Sequence, residues 1–214
     1  MVSAMRGKPA GLLRIACPMD FWRTHVASVV PLFLAKFPEV RVQLAMSDQQ
    51  ADLVNDRCDL AIRVTPHFDE ASFVARRLAT AHQVVCGSPA YFTARGTPQT
   101  VKELAHHACL VYTIARTPDV WRFAGDLSVR VTGPLSANNG AALCRAAVEG
   151  IGLVQVPTFL VCEELASGQL QRILREYEPE PLGVFALYPR NRMLAPKVAA
   201  FIDFLASHDL GEGG

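Results

Sequence analysis

Apolar residues recur along this chain with two different periods. Behind Gly11, the run Leu12-Leu13-Arg14-Ile15-Ala16-Cys17 reads as a buried strand. Pro18-Met19-Asp20 interrupts it, and Trp22, Val26, Val29, Val30, Phe33 and Phe37 then follow at spacings suited to one helix face. The pattern predicts a helix over 21–37, N-capped by Asp20, kinked or broken at Pro31 and ended by Pro38. Val40-Arg41-Val42-Gln43-Leu44-Ala45-Met46 alternates as a strand. Ser47 or Asp48 starts a short helix to about Val54, and Asp59-Leu60-Ala61-Ile62-Arg63-Val64 is a third strand. Strand, helix, strand, helix, strand at this spacing predicts a parallel, doubly wound unit with right-handed crossovers.

Further strands are expected at 73–78 and 82–86, and short helices at 89–94 and 101–106. A second α/β unit follows. It comprises a strand at 109–112, a hairpin of 121–123 and 127–131 around Gly125-Asp126, and a helix opened by Asn138-Asn139-Gly140 and stopped by Gly150. After it come a strand at 152–156 ended by Pro157, a helix at 159–166 and a polar, Pro-rich loop at 176–181. A late strand at 184–188 and an amphipathic helix at 196–207 can return to the first unit, and residues 211–214 form a disordered tail. The fold class is therefore α/β, with two doubly wound, Rossmann-like lobes.

Composition narrows the function classes. Half of the 214 residues are apolar and 19% are charged, enough for a sizeable core. The longest apolar run, 26–35, contains Pro31 and falls short of a membrane span. The net charge is +1 and the basic residues are scattered, which argues against direct grip on nucleic acid. Cys17, Cys58, Cys86, Cys109, Cys144 and Cys162 form no C-x-x-C pair and read as reduced, buried thiols. His25, His67, His82, His106, His107 and His208 show no metal-ligand spacing, and no nucleotide-binding or nucleophile motif occurs. No catalytic residue, metal or cofactor is expected. Arg6 and Lys8 precede too short an apolar stretch, interrupted by Arg14, to act as an export or lipoprotein signal, so a cytoplasmic location is expected.

The ordered segments Gly11-Leu12-Leu13-Arg14-Ile15, Phe33-Leu34-Ala35-Lys36-Phe37-Pro38-Glu39-Val40 and Asp59-Leu60-Ala61-Ile62-Arg63-Val64 resemble the effector-binding domain of LysR-type transcription regulators. Gly87-Ser88-Pro89-Ala90-Tyr91-Phe92, Ala147-Val148-Glu149-Gly150-Ile151-Gly152-Leu153, Val156-Pro157, Tyr188-Pro189, Pro196-Lys197-Val198 and Phe201-Ile202-Asp203-Phe204-Leu205 continue the resemblance through residue 206. Trp121-Arg122-Phe123 leans toward the glycine-cleavage-activator-like branch. The resemblance implies a periplasmic-binding-protein type 2-like architecture. Lobe I would span 11–82 plus 188–210 and lobe II 87–183, with hinge strands at 83–86 and 184–187. Residues 1–10 would be the tail of a linker helix, and the chain a fragment without the N-terminal winged helix-turn-helix.

The implied function is effector sensing that controls DNA binding through that absent domain. The implied partners are a small-molecule effector and a second copy in a homodimer, with a tetramer for the full-length form and no membrane. A solute-binding protein of the same fold is the alternative, and a two-lobed enzyme is a third reading.

Doubly wound sheets bind ligands outside the C-terminal ends of their strands. Those ends are Cys17, Pro18, Met19 and Asp20, with Thr65, Pro66 and His67, in the first lobe. In the second they are Tyr112, Thr113, Asn138, Asn139, Pro157 and Phe159. Plainer roles stand beside these: helix capping for the two asparagines, strand termination for Pro157, and core packing for Phe159. The acid Asp20, where the family more often has a small hydroxyl residue, puts a simple acid in doubt and makes a cationic, zwitterionic or neutral effector at least equally expected.

Overall fold

The computed structural model describes residues 7–48, 58–66, 72–190, 193–208 and 210. The helix expected after Asp48, most of the linker-helix turn, His67 and the C-terminal tail lie outside these residues. The chain forms two compact units, Met1–Thr80 with Gly183–Gly213, and Ala81–Leu182.

In the first unit, β1 (Gly11–Cys17), β2 (Val40–Met46), β3 (Leu60–Thr65) and β4 (Phe73–Ala81) come first in the chain. The second unit carries β5 (Gln83–Gly87), β6 (Val111–Tyr112), β7 (Val120–Arg122), β8 (Ser128–Arg130), β9 (Ser136–Ala137), β10 (Val154–Pro157) and β11 (Gln171–Ile173). β12 (Leu182–Pro189) returns to the first sheet, whose order is β2-β1-β3-β12-β4. β1 runs parallel to β2 over its full length, from Gly11 opposite Val40 to Cys17 opposite Met46, and parallel to β3. β12 runs antiparallel to β3, with Gly183 opposite Thr65.

The helix after β1 begins one residue before Asp20. It runs as α1 (Met19–Phe21), a π-helical turn (Trp22–Val26) and α2 (Ala27–Lys36). Asp20 is therefore not its cap. Pro18 holds that position in an extended conformation, and Asp20 sits in the first turn, only 7% exposed. The capping carboxylate comes from Asp48, whose Oδ1 accepts the Met19 N–H at 2.9 Å. β2 delivers it: the Ser47 N–H donates to the Cys17 carbonyl beside the end of β1. Pro31 does not break the helix either. Its ring crowds the carbonyl one turn back, and the irregularity appears upstream as the wider π turn, where the Ala27 N–H reaches the Trp22 carbonyl.

α2 packs on α6 (Pro196–Ala206), which follows α3 (Pro89–Arg95), α4 (Gly140–Val148) and α5 (Cys162–Ala166) in the chain. Phe33 sits at that contact, edge-on to Phe201 with ring centroids 4.9 Å apart. Lys197 spans the base of the sheet. Its ammonium meets the Leu12 carbonyl and Asp59 Oδ2, and the same carboxylate oxygen accepts the Arg14 N–H at 2.9 Å.

In the second unit β5 is central, antiparallel to both β10 and β11. β7 and β8 form the expected hairpin. Two expectations are corrected here. The helix at 159–166 splits into a 3-10 turn, Thr158–Leu160, and α5, because the β-branched, fully buried Val161 adopts φ −133° between them. The 176–181 loop begins with a 3-10 turn, Arg175–Tyr177, entered through a left-handed Leu174 whose side chain is buried. Residues 101–106 form the expected short helix, as a 3-10 helix.

All six cysteines are thiols outside any disulfide among the described residues, and only Cys162 is exposed. Burial pushes the Cys17 and Cys86 thiols far up and that of Cys109 to about 12, so they stay protonated and unreactive.

Tyr91 organises one corner of this unit. Its hydroxyl accepts the Ala108 N–H at 2.9 Å and lies 3.1 Å from His107 Nδ1. The phenol proton is thus directed at a neutral imidazole. Desolvation lowers the His107 pKa; His106 adds to this and Glu103 opposes it. A depressed folded value means that protonation opposes folding: this contribution is complete above the unfolded value and is lost as pH falls through the folded one. The melting temperature of the second unit should therefore drop on going from pH 7.5 to pH 5, and His107→Gln should flatten part of that drop. An identical pH profile in the variant would contradict this assignment.

Candidate functional site

The parallel strands of the first unit end together at one edge. Cys17 closes β1, Met46 closes β2 and Thr65 closes β3. The Cys17 side chain faces the core, and its carbonyl is taken by Ser47, so it shapes the edge without offering a free group. Pro18 is half-buried, Met19 exposes its thioether, Thr65 is half-buried and Pro66 is exposed. His67 lies outside the described residues. One turn on, the Thr24 hydroxyl donates to the Asp20 carbonyl at 3.0 Å. It also lies 2.7 Å from His25 Nδ1, and the His25 ring stacks on Phe21.

Two acids therefore belong to this helix start, Asp48 through its bond to Met19 and Asp20 in the first turn. Aligned N–H groups there ordinarily suit an anion. Here the Met19 N–H already holds Asp48, and Asp20 adds a second carboxylate in the same turn. Asp48 is the residue that sequence reasoning missed at this edge. Its signal was available: it follows β2, whose C-terminal end belongs to the same edge as those of β1 and β3.

The second unit repeats the arrangement by itself. β6 and β9 are parallel, Tyr112 opposite Ala137, and the Thr113 N–H donates to the Ala137 carbonyl. Cys109 bridges Leu153 in the parallel sense, so the segment leading into β10 runs the same way. Thr113, Asn138 and Pro157 consequently lie at ends that point in one direction. Asn139 caps α4, its Oδ1 accepting the Ala142 N–H at 3.0 Å. Thr158 is anchored twice to the His82 carbonyl, through its N–H and its hydroxyl. That fixes the turn carrying Phe159, which packs half-buried with Tyr112 against the core. Asn138 and Thr113 are the exposed polar side chains at this end.

Among the described residues no group of His, Cys, Asp or Glu could hold a metal ion, and no helix is long and apolar enough to cross a membrane. The groups gathered at both edges are hydrogen-bonding and apolar surfaces, suited to holding a small molecule.

The LysR substrate binding domain model matches residues 6–209. The HTH-type transcriptional regulator PtxR of Pseudomonas aeruginosa is 36% identical over 212 residues, which cover 97% of this chain and 67% of that regulator. The Escherichia coli transcriptional activator TtdR is 31% identical over 211 residues, 96% of this chain and 67% of its own length. Among solved structures, CrgA of Neisseria meningitidis, a LysR-type regulator, superposes with a TM-score of 0.82 at 28% identity, covering 95% of this chain and 70% of that one. Its regulatory domain alone superposes at 0.81 and 27% identity, covering 92% of this chain and 98% of that one. These matches reach the family, and the branch suggested by Trp121-Arg122-Phe123 finds no support in them. The chain belongs to the LysR substrate-binding domain family, with the periplasmic-binding-protein type 2-like fold of its regulators.

Proposed function

We propose that this domain senses a small-molecule effector at the strand ends described above. Binding shifts the population of the domain's conformations, and this shift biases DNA binding by a winged helix-turn-helix domain of the whole regulator. The domain does so without turnover, in the cytoplasm, as a homodimer that becomes a tetramer in the full-length protein. What carries the reading is that each unit ends parallel strands at one edge and opens a capped helix there.

The effector is cationic, zwitterionic or neutral. The Asp48 carboxylate on the Met19 N–H, with Asp20 in the same turn, supports this, since a carboxylate ligand would meet two like charges at that helix start. A thermal-shift screen of amines, zwitterions, neutral compounds and acids tests the reading. A hit at about 100 times its Kd should stabilise the fold by about 2.7 kcal/mol. In calorimetry, Asp20→Ser and Asp48→Asn should each move selectivity about tenfold toward acids, as expected for removing one charge from a partly buried contact. Unchanged selectivity between acids and amines overturns the effector class. Conversion of a hit to product would overturn the sensor reading itself.

A further inference from the structure

The opposite end of the first-unit sheet holds a second feature. Asp59 immediately precedes β3, and Tyr188 and Pro189 end the antiparallel β12 beside it. With Leu194, Ala195 and Val198 they line a hollow of about 50 Å³. Six residues of strand separate Asp59 from Thr65, about 20 Å at the rise of an extended chain, so this hollow is remote from the first-unit effector edge.

We infer that this hollow is a second ligand site, and that it takes a small neutral alcohol or phenol with an apolar body. Three observations select that class. First, Asp59 Oδ2 is fully engaged by Lys197, at 3.0 Å, and by the Arg14 N–H, whereas no described residue donates to Oδ1. Second, the Tyr188 hydroxyl also has no hydrogen-bond partner among the described residues, although the residue is half-buried. One hydroxyl can donate to the carboxylate and accept from the phenol, which a simple amine or acid does less well. Third, the Asp59–Lys197 pair is internally neutralised and only about one-fifth exposed, so a charged ligand gains no counter-ion there and would face one like charge. The remaining walls, Pro189, Leu194, Ala195 and Val198, are apolar and suit a short alkyl or aryl body. The volume encloses the hydroxyl and its first carbons and leaves the rest at the rim beside Met193, 97% exposed.

The test is a nitrogen-15 NMR titration of the whole chain with cyclohexanol and with phenol, using acetate and methylamine as controls. The alcohols should give saturable shifts at millimolar concentration, clustered at Asp59, Leu194, Ala195 and Val198. Tyr188→Phe, which keeps the ring and loses only the hydroxyl, should weaken the alcohols about fivefold, the size of one hydrogen bond. Its melting temperature serves as the control for folding. The inference is overturned by shifts that fail to saturate, by shifts centred elsewhere, by tighter binding of either control, or by equal affinity in Tyr188→Phe. Because the probes and readout are independent of the effector edge, its failure leaves the sensor reading standing.

Discussion

Phe33→Ala should lower the unfolding free energy of the first unit by about 3–5 kcal/mol, the range for emptying a buried aromatic site. Phe33 has no exposed surface and contacts three rings: Phe37 at 4.9 Å, Phe201 at 4.9 Å and Phe204 at 5.5 Å between centroids. Those rings belong to the α2 end and to α6, so the side chain joins the first helix of the unit to the last. The site collapses poorly because α6 is also tied to the sheet through Lys197 and Asp59. Trp22 lies in this unit and Trp121 in the other, so single-tryptophan variants report the two units separately. Urea unfolding followed at Trp22 should show the loss, while the Trp121 transition should hardly move. A loss below about 1 kcal/mol would mean that the α2–α6 contact is loosely packed.

Gly133→Ala should act on the second unit with comparable force, about 3 kcal/mol or more for overpacking against main chain. A Cβ at Gly133 would lie 2.7 Å from the carbonyl carbon of Cys109 and closer still to its oxygen. The Cys109 segment cannot retreat. On one side its N–H holds the Thr132 carbonyl, and on the other Leu110 and Ala108 exchange 2.8 Å bonds with Leu153. Either the added methyl breaks the ladder leading to the candidate edge at Thr113, or the unit fails to form. The Trp121 transition should shift to lower urea while that of Trp22 stays in place. Unchanged unfolding would show that the strand 108–113 has room that this structure does not give it.

Much of the first sheet was legible because burial writes itself into periodicity. Strands such as 12–17 and 60–64 are apolar runs broken only by Arg14 and Arg63, and the 21–37 pattern repeats at helical spacing. The insertion of β12 between β3 and β4 was not legible, since strand order depends on which apolar faces meet, and that is tertiary information. β9 and β11 are two and three residues long and carry no period. The helix start misled for a different reason. An Asp three residues after a strand is a good local cap, but Pro18 takes the cap position two residues earlier and a distant carboxylate, Asp48, completes the cap. Of the candidate site, chain direction and the strand-end rule were enough to locate both edges. They could not separate Cys17, which faces the core, from Met19, which is open to solvent, because neighbouring residues at a strand end differ only in the face they take.

The central claim is that the effector is held at these strand ends. Hydrogen–deuterium exchange, with and without a hit from the metabolite screen, tests it most directly. The account predicts slower exchange in peptides covering 17–20 and 65–66 of the first unit and 112–113, 138–139 and 157–159 of the second. Protection confined to segments away from these ends, such as those around Asp59 and Tyr188, would contradict it.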